Sequence, residues 1–110
     1  MIELLDVMPA LVVRLDGRGR VSEVNRLFEE LTGWTRGEAV GRDWFDAFVP
    51  ARDRERLREA FRLRLEEGPA GGAVDLLLTR DGRERDVEWR KARRPDGSVL
   101  CVGAVSTISA

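Results

Sequence analysis

Apolar positions change their period several times along the chain, and each change marks an element. Ile2, Leu4 and Leu5 precede Pro9, which predicts a short N-terminal helix ended by the proline. Leu11 to Asp16 is rich in β-branched residues, a strand. Asp16 to Arg20 (DGRGR) is a turn, because Asp-Gly favours a tight hairpin. Val21 to Val24 alternates apolar and polar, a second strand paired with the first. The period then becomes helical: Leu27, Phe28 and Leu31 form one stripe. Asn25 is placed to cap its start, and Gly33 to supply the left-handed stop. Trp34 follows, with room to fold back over the last turn.

Thr35 and Glu38 have capping-box spacing, which predicts a single helical turn stopped by Gly41. Trp44 to Pro50 is another short apolar turn ended by its proline. Ala51 to Gly68 is the one long helix, with Leu57, Phe61 and Leu65 at four-residue spacing. Glu55–Arg58 and Glu59–Arg62 pairs line its opposite face. Three strands close the chain: Gly72 to Arg80, Arg83 to Arg94 and Ser98 to Ser109, with turns at Asp81-Gly82 and Pro95-Asp96-Gly97. The expected class is α+β. One five-stranded antiparallel sheet carries short helices and one longer helix on one face.

Composition narrows the chemistry. The chain has 110 residues, enough for one core. It has no histidine and one cysteine, Cys101. That excludes a histidine-based triad, His-ligated haem, histidine or cysteine-rich metal sites and an internal disulfide. Tyrosine is also absent, and the acids sit in charge-alternating stretches without a paired-carboxylate site, so an enzyme is not expected. The net charge of −1 offers no field for nucleic acid. Lys91 is the only lysine, and the arginine excess reads as codon bias rather than a binding signal. The apolar runs are too short to cross a bilayer, and the start lacks signal-peptide features. A cytoplasmic protein is expected.

The order of elements resembles a PAS domain over roughly Ile2 to Ser109. VVRLDGRGRVSEVN resembles the family's first hairpin. NRLFEELTGWTRGEAVGRD matches its N-x-x-F-x-x-x-T-G-aromatic-x-x-x-E-x-x-G signature. Pro50 precedes the long helix, and DGRERDVEWR and PDGSVLCVGAVSTIS resemble the last two strands. The chain departs from the family where many members carry Asp-Ile-Thr; here the stretch is Thr107-Ile108-Ser109. The resemblance implies a single sensory and dimerisation module cut from a larger signalling protein such as a kinase, cyclase or transcription regulator, acting on an effector domain. The alternative is a ligand-free dimerisation module with a filled core. Cysteinyl-flavin photochemistry is not expected, since Cys101 lies on the last strand rather than on a helix.

A flavin or a small apolar ligand would lie between the sheet and the short helices. The resemblance places Phe28, Leu31, Trp44, Phe45, Phe48, Leu57, Phe61, Leu76 or Leu77, Trp89 and Cys101 around such a pocket. Arg90, Thr79 and Ser106 are its polar candidates. The same aromatic and aliphatic residues also serve as ordinary core. On the other side of the sheet, VDLLL (Val74 to Leu78) and VLCVGAV (Val99 to Val105) are apolar at consecutive positions, which predicts that both faces are covered. The N-terminal helix or a second copy would cover the outer face, pointing to a homodimer there.

Overall fold

The computed structural model describes residues 9–67 and 73–105. The expected N-terminal helix, the stop at Gly68-Pro69, the Leu65 side chain, Ser106 and the Thr107-Ile108-Ser109 exit lie outside the described residues. Five strands form one antiparallel sheet: β1 (Leu11–Leu15), β2 (Val21–Val24), β3 (Ala73–Leu78), β4 (Glu84–Arg93) and β5 (Val99–Val105). Their order is β2-β1-β5-β4-β3. Four helices connect β2 to β3: α1 (Arg26–Thr32), α2 (Arg36–Ala39), α3 (Trp44–Phe48) and α4 (Arg54–Glu67). A turn of 3₁₀ helix, Ala51–Asp53, leads into α4. The expected α+β architecture is present.

Local chemistry sets the helix ends. The Asn25 side chain accepts from the Phe28 N–H and so caps α1, and Gly33 closes it with a φ of 80°. Thr35 and Glu38 form the expected capping box of α2. Asp43 caps α3 by accepting from the N–H groups of Phe45 and Asp46. The caps matter because helices this short cannot hold themselves together in water.

Asn25 does more than cap. It is 1% exposed. Its Oδ1 also accepts from the Val12 N–H at 3.1 Å, and its Nδ2 donates to the Ala10 carbonyl at 2.8 Å. One buried amide thereby ties the start of α1 to the start of β1. Phe28, fully buried on the next turn, adds about 1.5–3 kcal/mol of apolar burial.

The register assigns the sheet faces. Leu11 pairs with Gly103, and Gly103 with Trp89; Val13 pairs with Cys101, and Cys101 with Lys91. These rows face the helices, together with Val87, Val99 and Leu77. Gly103 has a steric reason. A Cβ there would meet Val87 Cγ1 at 2.6 Å and the Trp89 ring at 2.8 Å. The bare backbone lets Trp89 lie across β5. Gly19 is constrained in the same way: at a φ of 86°, an added Cβ would lie 2.9 Å from the Phe45 ring.

Two local expectations change. Trp34 does not simply fold over its own helix. It packs edge-on against Phe48 at 5.8 Å, with the guanidiniums of Arg42 and Arg80 over its ring at 4.5 and 4.8 Å. Arg58 turns from Glu55 to α3, meeting Asp46 at 2.7 Å and Asp43 at 3.3 Å, while Glu59–Arg62 forms as expected. The outer faces of β3 and β5 are partly open among the described residues of the single chain. Val74 is 65% exposed, and burial along β5 alternates over most of its length. Apolar residues of similar kind conceal that alternation in the sequence.

Candidate functional site

The sheet and the α3–α4 segment enclose a slot of about 20 Å³. That is room for about one water molecule. Trp44 and Phe45 reach it from α3, Leu57 and Phe61 from α4, and Trp89, Lys91 and Cys101 from β4 and β5. Leu15, Val49, Asp75 and Leu76 complete the lining.

The aromatic residues set its walls. Trp44 and Trp89 meet edge to face, with ring centroids 5.6 Å apart. Phe45 and Phe61 do the same at 5.5 Å. Behind them Phe48 and Phe28 pack at 5.3 Å, and Trp44 meets Phe48 in a tilted pair at 5.0 Å.

Three arginines hold the α3–α4 segment in place. Arg54 Nε donates to the Phe45 and Val49 carbonyls at 3.0 and 3.2 Å, serving oxygens left without helical partners at the end of α3. Arg58 bridges α4 to Asp43 and Asp46. Arg52 forms a two-pronged pair with Glu84 at the start of β4, at 2.8 and 2.6 Å. The Arg52 guanidinium holds the Glu84 carboxyl below the usual glutamate range.

Cys101 is 4% exposed. Burial pushes its thiol up to about 11, against a small opposing pull from the Lys91 ammonium. A protonated, enclosed thiol is a poor nucleophile. Among the described residues, no group of three or more histidine, cysteine, aspartate or glutamate side chains is placed to hold a metal ion.

The residues named from the sequence divide into three groups. Trp44, Phe45, Leu57, Phe61, Leu76, Trp89 and Cys101 come together at the slot. Phe28, Phe48 and Leu77 lie behind it as fully buried core. Leu31 is only partly buried and borders a separate surface hollow beside Gly33 and Arg80.

The polar candidates need correction. Thr79 belongs to the β3–β4 turn, where its hydroxyl bonds Asp81 and the Arg83 backbone. Arg90 pairs across the sheet with Val102, on the outer row, and is exposed. The charged groups at the slot are Asp75 and Lys91, which the sequence reading passes over. Asp75 carries a usable signal: it is the one charge inside an otherwise apolar strand, AVDLLL.

Comparison with known proteins agrees with this geometry. A family model for the PAS fold matches residues 1–108. The PAS domain of the RpfR quorum-sensing receptor from Cronobacter turicensis, solved in complex with C12:0, is 25% identical. It superposes with a TM-score of 0.83 over 91% of this chain and 96% of that one. A domain of a sensory box sensor histidine kinase/response regulator from Geobacter sulfurreducens is 24% identical, with a TM-score of 0.79 over 92% and 87%. The PAS domain of an HTR-like protein from Haloarcula marismortui is 22% identical, with a TM-score of 0.77 over 96% and 88%. No curated protein sequence matches the chain. With its sheet order, its capped short helices and a family match along almost its whole length, the chain belongs to the PAS fold family.

Proposed function

We propose that this domain is the sensory module of a signalling protein, taking a small apolar ligand into the slot under α3 and α4 and passing the change to an effector domain. It acts without catalysis, in the cytoplasm, as a homodimer through the outer sheet face and N-terminal segment. The observation that carries the reading is how the slot is closed. Its aromatic walls rest on a segment that packs into the core through Phe45, Phe48 and Phe61 and is fastened to its neighbours by exposed arginine pairs, so the pairs can loosen without breaking the sheet. The C12:0 complex of the RpfR PAS domain supports an apolar ligand. Because the slot admits about one water, any larger guest binds an opened state and shifts the population toward it. Binding and conformational change are then one event, as a sensor requires.

The same volume favours a second reading: a filled-core dimerisation module that takes no ligand. Native and denaturing mass spectrometry of freshly purified protein separates the two. The sensory reading expects an adduct, native or after incubation with C8–C12 fatty acids or alcohols, that is lost on denaturation. A dimer that stays bare throughout supports the filled core. A bare monomer removes both.

A further inference from the structure

Eighteen of the nineteen basic residues are arginine, and the remaining one, Lys91, lies on the sheet face that lines the slot. It pairs in register with Cys101 on β5, and it is half-buried rather than exposed. It is the one cation among the lining residues, as Asp75 is the one anion. The two do not sit together. Asp75 is opposite Val87, four residues before Lys91 on β4, which separates them by roughly 13 Å along the strand. Trp89 projects between them on the same face. The slot is therefore polarised: cationic at one end, aromatic in the middle, anionic at the other.

We propose that the slot selects an amphiphile with a single anionic head, the head at Lys91 and the apolar body over Trp89 toward the Asp75 end. This rests on the sensory reading above and names the ligand class of the same site. An ammonium is a compact point charge, and it meets a carboxylate in a narrow slot where the wider planar guanidinium has less room. Partial burial strengthens the contact relative to one in water. Asp75 gives the opposite preference at the far end. It repels a second negative charge on the tail, so the site distinguishes a monocarboxylate from a dicarboxylate of equal length.

The test compares decanoate, 1-decanol and the ten-carbon dicarboxylate by calorimetry, below their aggregation concentrations, on the whole 110-residue chain. Decanoate is expected to bind about tenfold tighter than decanol, and the dicarboxylate more weakly than decanoate. Lys91→Met should abolish the preference for decanoate over decanol. Asp75→Asn should relieve the penalty on the dicarboxylate. Equal affinity of wild type for decanoate and decanol, a comparison that needs no variant to fold, overturns the anionic-head inference and leaves the sensory reading standing. So does a preference that survives Lys91→Met. Binding of none of the three overturns both.

Discussion

The two ends of the helical layer are fastened by different chemistry. At the α1 end, a buried asparagine bonds the backbone of β1 and of α1 at once, and Phe28 is fully enclosed. At the α4 end, exposed or half-exposed guanidiniums span from helix to helix and from helix to sheet, above a slot that is not quite filled. A buried amide has no water to replace a lost partner, whereas a surface ion pair exchanges readily with solvent and salt. One end is therefore tied by a buried amide and the other, besides its core packing, by pairs that adjust with solvent, and the sheet beneath joins them.

The sharpest break of this contrast is Asn25→Ala. It removes the cap and leaves the Val12 N–H and the Ala10 carbonyl without their buried partner, a loss of about 2–4 kcal/mol. Urea denaturation reads it directly, and a loss below about 1 kcal/mol would mean that the α1 end is no more firmly fixed than the α4 end. Gly103→Ala acts on the floor they share. The new methyl must displace Val87 or Trp89, at an expected cost of about 1–3 kcal/mol. Tryptophan emission should change with it, because Trp89 moves against Trp44. A silent substitution would show that the floor yields more easily than its packing suggests.

Glu84→Gln probes the adjustable end and carries the smallest effect. The pair is solvent-exposed, so the urea midpoint should hardly move, while amide exchange around Ala51–Asp53 and the first turn of α4 should quicken. The pH dependence has a definite sign. The folded-state value of Glu84 is depressed below 4.5 by Arg52, so its contribution is present above 4.5 and is lost as pH falls through the depressed value. The difference between wild type and Glu84→Gln should therefore close in acid. A difference that persists there would remove the ion pair as its cause.

What the sequence makes legible here is local. Capping by Asn25, Thr35, Glu38 and Gly33 involves neighbours within one turn, and each lies where the spacing predicts. The hairpins follow from their Asp-Gly turns, and the helical stripe from its period. Contacts decided by register are hidden. Leu76 and Leu77 are indistinguishable as letters, yet the pairing of β3 with β4 buries Leu77 completely and leaves Leu76 half-exposed. The same rule sends Arg90 outward and brings Lys91 inward, so the cation at the slot emerges only once β4 is aligned with β5. Asn25 reads as a cap, but its bonds to Val12 and Ala10 cross a separation that no local pattern records. Gly103 sits within an apolar run and gives no sign that Trp89 needs its space.

Cys101 gives the domain a clock of its own. It is the chain's sole thiol, enclosed and protonated at neutral pH, and it lines the slot. A thiol-specific reagent can modify it only after the surrounding wall has parted and the proton has left. In reagent excess, the labelling rate counts openings of the slot, without any introduced dye or mutation. A guest that props the wall apart would speed the clock, and one that seals it would stop it.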